Sequence, residues 1–449
     1  MCKFIFSILC YFLCGNISSQ ISIGIPQPAW LDSSVIYEVN MRQFTESGSF
    51  LDFKKHLPRL QKMGVNILWF MPIYPISKIK RKGSLGSYYA VASYVEVNYE
   101  FGNPEDFRSV VKEAHKLGMK VILDWVPNHT GWSHQWIYSH PEYYTKHLVT
   151  DTIVHPQNTD WYDVADLDYK NPAMRLNMIK AILYWLDAYE IDGFRFDMAM
   201  MVPDDFWIQL NRVLKSMNKS IFLLAESEES AHRNQGIFHA DFGWTFQNLI
   251  REIAKGNKNA LDLIQYFDDD SIKFKLGSHL YFTSNHDENS WQGTEFELLG
   301  NAHQLFSALT FVLNGIPLIY NGQEEPIKKR LRFFEKDTIG FRNLAYESFY
   351  KNLIDLRKNN PALYSGARGG KMEWIEHTSN QSVLSFKRSL GQNEILCFFN
   401  LSNRKQSIKI VNPILNSKYR EYNTDRIAKL KAGTSIQLNP WEFKIYIKK

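Results

Sequence analysis

Gly193-Phe194-Arg195-Phe196-Asp197 decides the fold. The stretch reads as a short buried strand, with Phe194 and Phe196 apolar and Arg195 and Asp197 interleaved. Strand side chains alternate with a period of two, so Arg195 and Asp197 share one face. A positive charge that near favours the ionised form of an aspartate. A loop holding Pro203 follows, which puts the pair at the C-terminal end of the strand. An ionised carboxylate there suits a nucleophile or an electrostatic stabiliser; a structural ion pair is the plainer alternative.

Outward from this stretch, strand-like and helix-like patterns alternate. Apolar runs at 35–40, 65–70, 120–124, 221–226, 238–242, 280–285 and 317–321 read as further strands. Between them, 50–63 is helical in pattern and stops at Gly64, and Asn103-Pro104 opens a helix that Gly118 closes. A long helix over 174–189 precedes Gly193. Eight strands alternating with helices predict a parallel (β/α)8 TIM barrel, since eight is the number that closes one. Two stretches break the alternation. Residues 129–170 are aromatic and irregular and read as a short inserted segment after strand three. Residues 368–449 read as short alternating strands, such as 382–386 and 394–399, and predict a C-terminal β-sandwich. The expected division is therefore a leader at 1–20, a barrel with its insertion over 21–367, and the sandwich over 368–449.

The 449 residues are 45% hydrophobic and 14% aromatic, ample for a large core. Fifty-two basic and 47 acidic residues are mixed along the chain, and a formal charge of +5 does not point to nucleic acid. Residues 1–20 read as a secretory signal: Lys3, an apolar run over 4–13, and a small polar exit at 15–19. The run is too short for a permanent membrane span. Export to the periplasm or beyond is expected, without stable membrane insertion after signal removal; a lipid anchor at Cys14 is the alternative ending. Cleavage near Ser19 removes Lys3, which lowers the formal charge from +5 to +4. It also removes Cys2, Cys10 and Cys14, leaving Cys397 and no intramolecular disulfide.

Polar residues accumulate where the apolar strands end: Asp124 with Asn128 and His129, Arg195 with Asp197, Glu226, and Asn285-His286-Asp287. In a parallel barrel these ends lie on one face. The set suits glycosidic bond cleavage, which needs a carboxylate nucleophile and a carboxylic acid for the leaving oxygen. There is no G-x-S-x-G elbow, P-loop or Cys/His metal cluster in the sequence.

The motifs resemble the α-amylase family of glycoside hydrolases over nearly the whole chain after the leader. Asp124-Trp125-Val126-Pro127-Asn128-His129 is similar to its first motif, Gly193 to Asp197 to its second, Glu226 to its third, and Ser284-Asn285-His286-Asp287 to its fourth. Residues 64–73, Asp166-Leu167-Asp168 and 315–324 also fit, and Tyr89 matches the family's stacking tyrosine. The resemblance implies a retaining enzyme, with Asp197 as nucleophile, Glu226 as acid/base and Asp287 as transition-state stabiliser. It implies substrate binding by Tyr89, Asp124, His129, Arg195 and His286, with Arg195 keeping Asp197 ionised and Glu226 raised in pKa. The implied substrate is a starch-like α-glucan or maltooligosaccharide; an α-glucosidase or transglycosylase of short α-glucosides is the alternative. A non-catalytic relative would lack one of the three carboxylates, and all are present. No cofactor is implied. Many members carry a basic residue and a histidine where this chain has Met200 and Met201, which argues against an amylase-type calcium. Asn128 matches a calcium ligand, and Asp151, Asp160 and Asp163 are its candidate partners. The short insertion predicts an open cleft and cleavage within the chain.

Overall fold

The computed structural model describes residues 24–217, 219–412 and 416–449, so the predicted leader and Cys14 lie outside the described residues. The short apolar runs become strands buried along their length. In chain order they are β1 (Ile36–Val39), β2 (Ile67–Phe70), β3 (Lys120–Trp125), β4 (His129–Gly131), β5 (Val164–Asp166), β6 (Gly193–Phe196), β7 (Phe222–Ala225), β8 (Ala240–Phe242), β9 (Ser278–Tyr281) and β10 (Gly315–Tyr320). Eight close a parallel barrel in the order β1-β2-β3-β6-β7-β8-β9-β10, and β10 pairs back onto β1. The antiparallel pair β4–β5 lies inside the insertion. The predicted (β/α)8 barrel is the observed one.

Period-two alternation sorts the barrel residues. Ile36, Ile67, Trp69, Ile122, Leu224 and Leu318 pack together inside it. Their neighbours Tyr37, Leu68, Phe70, Leu123, Leu223 and Ile319 face the helices in a second cluster. Phe194 and Phe196 belong to the outer cluster, so Arg195 between them points inward. Gly193 is required by close approach: a Cβ there would stand 2.1 Å from the Phe222 carbonyl oxygen.

Two local readings change. The helix expected over 50–63 is two pieces, Phe50–Lys54 and Leu57–Met63. Pro58 in the first turn of the second piece has no N–H to continue the first. The strand expected over 280–285 is Ser278–Tyr281, because the chain leaves the ladder before its polar residues.

Beyond the barrel come β11 (Lys371–Trp374), β12 (Val383–Leu390), β13 (Asn393–Asn400), β14 (Gln406–Lys409), β15 (Asn416–Glu421), β16 (Ile427–Lys431), β17 (Ser435–Leu438) and β18 (Phe443–Lys448). Six form an antiparallel sheet, β11-β12-β13-β18-β15-β16, and β14 pairs with β17. On β13, Ile395, Cys397 and Phe399 join the cluster on the barrel's helices. Leu396 and Phe398 join Ile408 and Ile436 of the β14–β17 pair. Burial on both faces explains why this strand is apolar without alternation. The Cys397 thiol is free and buried.

Candidate active site

The inward register runs up to the C-terminal ends of the strands and, in two of them, one residue past the end. Two residues after the interior Ile36 comes Glu38, after Ile122 comes Asp124, and after Leu224 comes Glu226. Arg195 is followed in the same way by Asp197. Side chains from separate strands therefore converge at the C-terminal mouth of the barrel.

Arg195 is the hub. Its Nη1 donates to Asp124 Oδ1 (2.7 Å) and Asp197 Oδ1 (3.1 Å), and its Nη2 lies 2.7 Å from Glu226 Oε2. The guanidinium is sealed by the rings of Trp69 and Phe242, at 5.2 and 5.4 Å. Trp69 Nε1 donates to Asp124 Oδ2 (3.2 Å), and the Tyr89 hydroxyl donates to the same oxygen (3.1 Å). Tyr89 Oη lies 2.7 Å from His286 Nε2, while His286 Nδ1 is 2.5 Å from Glu38 Oε1. Asp287, partly exposed, reaches His286 Nε2 at 3.4 Å. Tyr89 and His286 stack with ring centroids 5.6 Å apart.

Above this floor lies a cleft of about 510 Å³. Of the residues expected at the site, it is lined by Tyr89, His129, Asp197, Glu226, His286 and Asp287. Asp124 and Arg195 are not among them. Both have no exposed surface, so their expected place as substrate-binding residues is corrected: they lie under the floor and hold the groups that line it. Asp166-Leu167-Asp168 does not line the cleft either; Asp168 Oδ1 accepts from Lys170 N ahead of the next helix. Of the insertion's aromatics, Trp161 lines it, whereas Trp132 packs under Lys80, whose Nζ is 3.5 Å from its ring.

Charge in the cluster differs from the sequence expectation. Burial pushes the Asp197 carboxyl well above the usual carboxylate range, and Arg195 opposes this without reversing it. Burial likewise lifts Asp124 to about 6 against the pull of Arg195. The expectation that Arg195 holds the Asp197 carboxyl low is corrected, for a physical reason: burial dominates, and one guanidinium is shared among three buried carboxyls. Glu226 Oε2 also accepts from Met198 N (2.9 Å). Burial works against charge on His286, yet Asp287 and Glu38 lift it to about 9. Burial holds His129 down at about 4, so its imidazole is neutral at neutral pH.

Several residues at the site escaped the sequence reading. Glu38 was visible as a lone acid in an apolar strand. Met198 stands in the left-handed region (φ 43°, ψ 44°), which turns its N–H onto Glu226; nothing in the residue type announces that. Lys82, Trp291, Phe333 and Phe334 also line the cleft, from excursions after β2, β9 and β10. The cleft walls thus come from the insertion and from three other excursions together.

The candidate calcium partners do not assemble. Asp163 pairs with Lys82 (3.1 Å), and Asp151 with Lys146 (3.0 Å). Asn128 turns its amide to His129 Nδ1 (3.3 Å). No group of three His, Cys, Asp or Glu side chains spaced for a metal occurs among the described residues. Asp163, Asp151 and Asn128 are thus engaged with other side chains rather than with one another.

The family model of the alpha-amylase catalytic domain matches residues 42–163 and 158–339. Alpha-amylase 2 of Dictyoglomus thermophilum is 24% identical over 461 residues, covering 92% of this chain and 75% of that protein. The intracellular maltogenic amylase of Bacillus subtilis is 26% identical over 477 residues, covering 90% and 73%. Among solved structures, the noncanonic maltogenic alpha-amylase AmyB of Thermotoga neapolitana superposes with a TM-score of 0.84 at 27% identity, over 93% of this chain and 98% of that one. The alpha-amylase of Lactobacillus plantarum gives 0.81 at 25%, over 93% and 99%. With the barrel, the convergent carboxyls and a family match over most of its length, the chain belongs to the alpha-amylase family of glycoside hydrolases.

Proposed function

We propose that this protein is a retaining hydrolase of α-1,4-glucosidic bonds in maltooligosaccharides and starch-like glucans. The observation that carries the reading is the meeting of Asp197, Glu226 and Asp287 in one cleft around the buried Arg195. In this reading Asp197 attacks the anomeric carbon and Glu226 protonates the leaving oxygen. Glu226 then removes a proton from the water that releases the glycosyl group. Asp287 stabilises the positive charge that develops on the sugar ring. A retaining pair needs one ionised and one protonated carboxyl at the same moment. Tyr89 is the platform under the reacting ring, and His129 and His286 hydrogen-bond its hydroxyls. No cofactor enters any step. The leader motif supports action outside the cytoplasm, on polymer met there.

The test is proton NMR of maltoheptaose hydrolysis, reading the anomer formed first and the product series. The α-anomer with short maltooligosaccharides is expected. The β-anomer would refute retention, and glucose alone from the non-reducing end would favour the α-glucosidase alternative. Products longer than the substrate would favour transfer.

A further inference from the structure

Directly after Asp287 the chain makes a single π-turn, Glu288–Gln292. Single π-turns are rare and occur frequently at functional sites. This one is pinned at both sides. Glu288 Oε2 accepts from Gln247 Nε2 (2.7 Å) and Arg251 Nη1 (3.0 Å), and Asn289 Oδ1 accepts from Leu331 N (2.8 Å). Yet Trp291 in the same turn leaves half of its surface exposed, at the cleft. The anchored turn thus presents a half-exposed indole to the cleft.

Trp291 is the outer end of a continuous aromatic array. Its ring lies 5.1 Å from Phe333 and 5.7 Å from Phe334, and Phe333 lies nearly parallel to Tyr89, 6.3 Å away. The array is braced from behind: Arg42 donates to Gly86 O (3.0 Å) and Phe333 O (3.2 Å), and Leu85 N donates to Phe334 O (3.0 Å). Topology gives it a direction. Glu226 follows β7 and Met198 follows β6, while Trp291 and Phe333 follow β9 and β10 across the barrel. The acid must face the leaving group, so the array lies on the side that keeps the glycone.

We propose that Trp291, backed by Phe333 and Phe334, is a stacking subsite for the glucose unit next to the one held over Tyr89, on the glycone side. The inference rests on the α-glucan hydrolase reading. The apolar C–H face of a glucose ring matches a flat, rigid, half-exposed indole. Affinity for a second glycone ring favours complexes with two units there, which makes maltose the main small product over glucose.

The test compares wild type with W291A, W291F and W291L on maltotetraose, with melting temperatures alongside. W291A is expected to raise KM about tenfold, the loss of one stacking contact. Its kcat should fall by less than roughly threefold. Its early products should shift from maltose towards glucose, and W291F should restore most of both. Should W291A fail to fold, W291L keeps the apolar contacts without the flat ring and should give the same split. A folded, active variant with unchanged KM and product ratio overturns the subsite. Equal losses in kcat and melting temperature, with KM unmoved, would assign Trp291 to structure instead. A wild type inactive on every α-1,4-glucan overturns the functional reading itself, and the subsite with it.

Discussion

His286 concentrates the electrostatics of the site in one side chain. It has almost no exposed surface, which disfavours its charge, and it stands between Glu38 and Asp287, which favour it more strongly. Its value of about 9 lies above that of a free histidine, so folding binds the proton more tightly than the unfolded chain does. The resulting stabilisation, roughly 3 kcal/mol by linkage, is complete below about pH 6.5 and is lost as pH rises through about 9. Melting temperatures of wild type and H286Q between pH 6 and 10 should therefore converge at the alkaline end; a constant gap would refute the assignment. The acids are tested separately. E226Q should lower kcat/KM by about 10²–10⁴-fold, the range of a lost general acid, with little change in melting temperature. A comparable rate with intact fold would remove Glu226 from the chemistry. Asp197, Glu226 and Asp287 were legible because each follows an apolar run in the sequence. The charge state of Asp197 was not, because burial depends on side chains from several other strands.

At the scale of elements, the strands were readable from their apolar runs, and the excursions between them were not. The insertion drew attention by its aromatics, yet the cleft owes as much to the segments after β2, β9 and β10. These lack the periodicity that marks a strand or helix, and their conformation is set by contacts with one another. Lys82 of one excursion pairs with Asp163 of the insertion, where a divalent ion was a candidate tie. The Lys82 side chain takes the place beside Asp163 that such an ion would need. Incubation with a chelator should then leave activity unchanged and the melting temperature within about 2 °C, well under the effect of losing a site that adds to folding free energy. A large loss of both, restored by added calcium, would show that donors gather in solution that stand apart here.

At the scale of the whole molecule, the barrel and the terminal sheet are held by more than their shared apolar cluster. Arg388 on β12 is fully buried and donates to four backbone carbonyls: Gly370 (3.1 Å), Val312 (3.2 Å), Leu313 (2.8 Å) and Tyr364 (2.8 Å). Arg357 does the same for Phe311 (3.3 Å), Leu363 (2.7 Å) and Gly315 (2.7 Å). No side-chain carboxylate pairs with either one among their described contacts, and burial pulls both down to about 9. Phe311 and Val312 end the helix His303–Val312, whose last carbonyls have no partner within the helix. The negative end of that helix is thus closed by cations from outside it, one of them from the terminal sheet. In the sequence Arg388 reads as one more polar residue of an alternating strand; only its partners, some 75 residues away, reveal its role. Replacing it by methionine keeps much of the packing volume and leaves those carbonyls buried without a donor. The cost should be about 3 kcal/mol, since an orphaned buried acceptor pays its full desolvation. Because the lost bonds join the two units, calorimetry of R388M should show a lower transition that begins to separate into two, with activity retained below the first. A single transition at the wild-type temperature would mean that the apolar cluster couples the units unaided.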